Sequence, residues 1–167
     1  MFIYSNTAAG LLFVQTEQAV DSFRVLDAQG AEVACPVLCA KPQDGKWLTT
    51  LNAENLQCWS VDAPVLYTLE AGGESVRFGH MSLRSFQNKQ VLLNDTPVYL
   101  RGFIRGIVAH DHPNMTGLSD YEAAKKNILQ AKKYGFNLVR FHSTIPSEDF
   151  VRAADWHNLV KCMLKRL

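Results

Sequence analysis

"YGFNLVRFHSTIP", residues 134–146, is the stretch whose reading decides the fold. Gly135 supplies the left-handed position that ends a helix, "FNLVRF" is a short apolar strand, and a loop leads to Pro146. A strand apolar enough to be buried therefore ends on Arg140 and His142. Polar side chains at that place are expected where strands are parallel, because the loops following such strands gather on one rim.

The neighbouring sequence supports parallel strands. "SDYEAAKKNILQAKKYG" (119–135) is a helix with punctuation at both ends: Ser119 and Glu122 form a capping box, and Asp120 adds charge to the first turn. Tyr121, Ala124, Ile128 and Ala131 make its apolar stripe, with Lys125, Lys126, Lys132 and Lys133 outside it as a solvated face. Ser147 caps a second helix, "EDFVRAADWH", and "NLV" begins a third strand. With "VYLRGFI" as the first strand, the order strand–helix–strand–helix–strand predicts parallel βα units.

Residues 1 to about 100 have another period. "GLLFVQTE", "SFRVLDAQGAEVA", "PVLCAK", "KWLTTL", "VLYTLEAG", "ESVRFGHMSL" and "KQVLLNDTPVYL" are short runs separated by turn residues. In "SFRVLD" Phe23 and Val25 share a face, and "DAQGAE" and "LNDTP" carry hairpin chemistry. Such spacing predicts an antiparallel β-sandwich with no useful helix before residue 119. Trp47 and Trp59 are expected in packing, Trp156 lies on the second predicted helix with an outward packing role, and His80 and His157 carry no signal.

Composition excludes several classes. The 167 residues are 47% hydrophobic and 20% charged, with a net charge of +1, so no strong field draws in nucleic acid or an anionic membrane. No run approaches the ~18 continuous apolar residues of a membrane span. The N-terminus lacks the basic region of a signal peptide, and the expected location is cytoplasmic. Cys35, Cys39, Cys58 and Cys162 form no framework and are expected as reduced, mostly buried thiols. No G-x-S-x-G, Walker A, G-x-G-x-x-G or H-E-x-x-H occurs.

The rim residues leave three readings open. The first loop carries Arg105, His110, Asp111, His112 and Asn114, and the second Arg140, His142, Ser143 and Thr144. His110, His112 and His142 form a possible metal set, but no fourth ligand accompanies them. The same side chains also suit loop capping, or a cleft for a polar, hydroxyl-rich ligand. Spacing alone does not choose.

Beyond the periodicities, "WSVDAPVLYTLE", "VRFGHMSLR", "VLLNDTPVYLRGF" and "YGFNLVRFHSTIPSEDFVRAAD" resemble glycoside hydrolase family 2, the β-galactosidases, β-glucuronidases and β-mannosidases. The likeness spans about residues 56–160. Counterparts of the family's W-S-x-x-x-P-x-L-Y, F-G-x-R, L-N-G-x-P and G-x-N-x-v-R motifs arrive in family order, with "FGHMSLR" standing for F-G-x-R and Asp95 for the hairpin Gly. The match departs at "RFHS", where many members read R-x-S-H, although a subgroup has R-F-H-S. It departs again at "GFIRGIVAHDHP", where G-v-N-r-H-E is common.

The resemblance implies a multi-domain β then α/β chain. Residues 1–97 would form an immunoglobulin-like β-sandwich, and residues 98–167 the first βα units of an incomplete (β/α)8 TIM barrel. It implies a retaining β-glycosidase, β-galactosidase-like, with a carbohydrate substrate, no cofactor, no metal, and no nucleic-acid or membrane partner. The oligomeric state stays open. Arg140 would sit beside the nucleophile and His142 would line the sugar subsite, with His110, Asp111 and His112 as further substrate contacts. In the family the two catalytic glutamates lie on the fourth and seventh barrel strands. About 70 of the ~250 residues of a barrel are present here, so neither glutamate is in this chain. "AADWHNLVKCMLKRL" replaces the family's A-D-E-L-G-L-L-V, as expected of a truncated or frameshifted product, inactive by itself. The rival expectation is a non-catalytic carbohydrate-binding or scaffolding sandwich module.

Overall fold

The computed structural model describes residues 1–85, 90–105, 119–141, 146–156 and 160–163, with the backbone alone at 156 and 160–163. They divide into two compact units, Met1–Val98 and Tyr99–Leu167.

The first unit is built of antiparallel sheets. One has the order β1 (Phe2–Asn6), β2 (Leu11–Thr16), β6 (Lys46–Asn52), β5 (Val37–Gln43). A second runs β4 (Glu32–Val33), β3 (Phe23–Leu26), β7 (Tyr67–Ala71), β8 (Glu74–Phe78). Leu12 and Val14 of β2, Leu51 of β6, Val25 of β3 and Leu69 of β7 share one core and are at most 2% exposed. The two sheets thus face each other as a β-sandwich, each such side chain contributing roughly 1.5–3 kcal/mol by its burial. Phe23 packs at the edge of the same core as Val25, as the alternation in "SFRVLD" predicts. β1 precedes the first run that the sequence marks as a strand.

A third sheet, β9 (Leu83–Ser85), β10 (Val91–Leu93) and β11 (Thr96–Val98), closes the unit. Leu93 opposite Thr96 leaves Asn94 and Asp95 as a two-residue hairpin loop with φ of 49° and 64°. Positive φ at both positions defines the turn that "LND" announces, with Asp95 where Gly has least strain.

Asn94 also ties this sheet to the rest of the unit. Its Oδ1 accepts from the Ser82 N–H at 3.0 Å, and its Nδ2 donates to the Trp59 carbonyl at 2.8 Å. Trp59 N–H donates to the His80 carbonyl at 2.9 Å. Its buried indole lies so close to Gly79 that an added methyl carbon there would stand 3.0 Å away. His80 is 2% exposed, with Nδ1 3.1 Å from Ser5 Oγ, and Thr7 and Ser82 pair through their hydroxyls.

The second unit has parallel strands, β12 (Gly102–Arg105), β13 (Leu138–Phe141) and β14 (Val160–Met163). Helices α1 (Asp120–Lys133) and α2 (Glu148–Trp156) lie between them in the chain. Ser119 Oγ accepts from the Glu122 N–H at 3.3 Å and Ser147 Oγ from the Phe150 N–H at 3.2 Å, the caps that the sequence predicts. Gly135, at φ 80°, ends α1 while Phe136 N–H bonds the Ala131 carbonyl and Gly135 N–H that of Lys132, a Schellman closure. Ala124 and Ile128 of α1, Val139 and Phe141 of β13, and Phe150, Ala153 and Ala154 of α2 form the core. No helix of the described residues is long and apolar enough to cross a membrane.

Two expectations are corrected. "VYLRGFI" is not one strand: Val98 completes the antiparallel hairpin opposite Val91, whereas Gly102 starts the parallel pairing with Leu138. Residues 99–101 make the change of partner. The thiols are not mostly buried either: Cys39 is exposed on the edge strand β5, and Cys35 and Cys58 are half-buried, with pKa raised by desolvation. Cys162 has no described side chain.

Removing the carboxamide in Asn94→Ala strands two backbone partners and takes away the polar side chain that lets a residue with a Cβ tolerate this left-handed turn. The expected loss is about 2–4 kcal/mol, read from the urea midpoint of unfolding. Burial holds the His80 imidazole below its ordinary value of 6.5. The unfolded chain therefore binds the proton more readily. The stability His80 contributes is complete above pH 6.5 and declines as pH falls toward the depressed folded value. A His80→Gln chain should show a flatter stability profile across that interval; an equal slope in both would remove His80 as its source.

Candidate functional site

The site that the sequence proposes is built on β13. Leu138, Val139, Arg140 and Phe141 alternate between the sheet's two faces. Val139 and Phe141 are buried in the core shared with α1 and α2, and Phe141 meets Phe150 edge to face at 5.1 Å. Arg140 therefore faces away from the helices. It is in register with Ile104 of β12, which is 63% exposed, and with Cys162 of β14. The Arg140 Nε is shielded from solvent and has no hydrogen-bond partner among the described residues. A buried N–H on a cationic group is costly to leave unbonded, so this atom marks where an acceptor belongs.

Arg105 does not join it. The sequence places both arginines on one rim, but Arg105 is in register with Phe141 and shares the helix-facing side. Its guanidinium lies 4.7 Å from the centre of the Phe150 ring, and burial lowers its pKa from the ordinary value. A cation over an aromatic face is a packing solution worth about 0.5–2 kcal/mol. Period-two alternation separates the two arginines, one face each.

His110, Asp111, His112 and Asn114 of the first loop, and His142, Ser143 and Thr144 of the second, lie outside the described residues. The possible metal set of His110, His112 and His142 lies there too. Among the described residues no three His, Cys, Asp or Glu side chains are grouped to hold a metal ion.

The structure adds residues that the sequence reading missed. Asn137 Oδ1 accepts from the Arg101 N–H at 2.8 Å, and its Nδ2 donates to the Tyr99 carbonyl at 2.9 Å. The Arg101 carbonyl accepts from the N–H groups of Asn137 at 2.9 Å and Leu138 at 3.2 Å. At Gly102 an added methyl carbon would stand 2.7 Å from a Leu138 methyl, so glycine permits the close approach of β12 to β13. The spacing G-x-N-x-x-R held the signal, but its partners lie 36 and 38 residues upstream.

The first unit has a hollow of about 530 Å³ between β1 and residues 78–84, lined by Tyr4, Phe13, Phe78, Met81, Leu83 and Arg84 among others. Several of its polar groups are engaged with one another or with neighbouring residues. Ser5 bonds His80, Asn6 accepts from Ala9 N–H, Ser82 bonds Thr7, and Arg84 pairs with Asp95.

No protein-family model matches the chain, and no curated protein matches it. Solved structures do. A glycosyl hydrolase family 2 member from Bacteroides cellulosilyticus DSM 14838 superposes with a TM-score of 0.70 at 21% identity, over 96% of this chain and 25% of its own. Bacteroides uniformis β-glucuronidase 3 gives 0.67 at 21% identity, over 97% and 22%. A Ruminococcus gnavus β-glucuronidase in complex with D-glucuronic acid gives 0.69 at 20% identity, over 96% and 28%. The chain thus has the fold of a segment of family 2 enzymes and spans about a quarter of their length.

Proposed function

We propose that these residues are the immunoglobulin-like sandwich and first two βα units of the (β/α)8 barrel of a family 2 retaining β-glycosidase. The observation that carries this reading is Arg140. It lies on the second strand of a parallel sheet, on the face away from the helices, with a shielded and unpartnered Nε. In a closed barrel that face is the interior, and the carboxyl ends of the strands carry the chemistry.

Hydrolysis with retention uses two carboxyl groups ~5 Å apart, one protonating the leaving oxygen and the other attacking the anomeric carbon. A guanidinium beside the attacking carboxylate keeps it ionised, which is the role assigned to Arg140. His142, His110, Asp111 and His112 are assigned to the sugar's hydroxyls. The substrate class is a β-linked hexoside. The sequence reading is β-galactosidase-like, and the β-glucuronidase neighbours bring β-glucuronides into the same class.

Both carboxyl groups belong to the remainder of the barrel. Glu148 and Asp149 stand in the first turn of α2, and Asp149 pairs with Arg152 at 2.9 Å. Asp111 is then a carboxyl group without a second one.

The 167-residue polypeptide should show no turnover on a panel of aryl β-galactosides, β-glucuronides and β-mannosides. Turnover above background that vanishes in Asp111→Asn would overturn this assignment. When the same residues are continued into a complete family 2 barrel, Arg140→Ala should lower kcat/KM about 10²–10³-fold with the fold intact. Unchanged kinetics would take Arg140 out of the site.

A further inference from the structure

We infer that Asn137 is the positioning residue for Arg140, fixing the register of β13 on β12 and so the height at which the guanidinium stands in the sheet. The activity arm of this inference rests on the glycosidase reading above; the structural arm does not.

Parallel strands have no hairpin to set their register, because a long crossover joins them. Burial supplies part of the answer. A slip of one residue would turn Val139 and Phe141 away from α1 and α2 and bury Arg140 among them. A slip of two residues keeps every side chain on its own face, so burial opposes it far less. It would still carry Arg140 ~6.6 Å along the strand, out of reach of a fixed partner.

Asn137 removes that freedom. Its carboxamide accepts from Arg101 N–H and donates to the Tyr99 carbonyl, while its own N–H and that of Leu138 converge on the Arg101 carbonyl. These bonds join the residues just before β12 to those just before β13 and can form in one register only. Gly102 completes the lock, since Leu138 occupies the space where a side chain would project. From Asn137 the chain needs three residues to reach Arg140, so an error at the clamp passes undamped to the guanidinium.

The structural arm uses the 167-residue chain. The Arg140 Nε–H resonance and the amide exchange of residues 101–105 and 138–141 are compared between the parent, Asn137→Ala, Asn137→Asp and Gly102→Ala. Asn137→Asp keeps the acceptor for Arg101 N–H and should fall between the parent and Asn137→Ala. It also carries the comparison if the alanine chain does not fold. Expected are a shifted Nε–H signal and faster exchange in these strands, with the α1 amides unchanged. An Nε–H signal and strand protection identical to the parent in all three variants would overturn the inference.

The activity arm uses the chain continued into a complete barrel. Asn137→Ala should cost about 10²-fold, mainly in kcat, because a misplacement of about 1 Å has that effect. The acid limb of its pH–rate profile should move to higher pH, since a nucleophile that loses its cation ionises later. A loss proportional to the unfolded fraction, with the pH limb unmoved, would reduce Asn137 to a structural residue. If the parent barrel shows no turnover while the resonances respond as expected, the glycosidase reading fails and the register inference stands.

Discussion

A side-chain carboxamide taking the place of a peptide group is the interaction on which both units depend. Asn94 accepts from Ser82 N–H and donates to the Trp59 carbonyl; Asn137 accepts from Arg101 N–H and donates to the Tyr99 carbonyl. In each case the chain changes partner nearby, and regular pairing leaves one donor and one acceptor over. Around Asn94 the groups are part-buried, and leaving one unbonded costs about 1–3 kcal/mol; around Asn137 they are exposed, and the bonds set geometry more than stability. Only asparagine and glutamine carry both functions of a peptide in one side chain, and the shorter one also tolerates the left-handed backbone found at Asn94. Asn94 thereby links the third sheet to the rest of its unit, and Asn137 links the residues before β12 to those before β13.

The motifs that suggest a family become physical contacts in the first unit. Trp59, Gly79 and Asn94 come from separate motifs and meet at one node. The indole needs a glycine beneath it, the Trp59 N–H needs the His80 carbonyl, and the Trp59 carbonyl needs the Asn94 amide. Within the same segment the Tyr67 hydroxyl accepts from Gln57 N–H. These residues hold the scaffold rather than touch a reacting group. A resemblance carried by them therefore reports on fold first and on chemistry second.

What was legible in the sequence follows the range of each interaction. The caps of α1 and α2 act within a few residues, and Ser119, Ser147 and Gly135 behave as their neighbours dictate. Hairpin chemistry at Asn94–Asp95 is equally local. Strand β1, the separate third sheet and the break at residues 99–101 were not legible, because each is decided by partners far along the chain. The face of Arg105 belongs with these. Alternation says that Arg105 and Phe103 share a side, but only pairing with Phe141 tells which side meets the helices. Of the side chains that the resemblance assigns to the sugar site, Arg140 alone lies among the described residues, and the bonds of Asn137 to Arg101 and Tyr99 were hidden by the same distance.

Arg105 and Arg140 show how one sheet sets two guanidinium groups apart. The Arg105 guanidinium and the Arg140 Nε both give up hydration, which is costly without a partner. For Arg105 the compensation is the Phe150 ring: an aromatic face at 4.7 Å spreads the interaction over carbon and asks for no anion. For Arg140 the shielded Nε points to a different kind of partner. A ring face cannot accept a directed N–H bond as an oxygen does, whereas a carboxylate matches both the charge and the fork geometry of the group. Position in the register thus converts one residue type into two roles, packing on the helix side and polarity on the other.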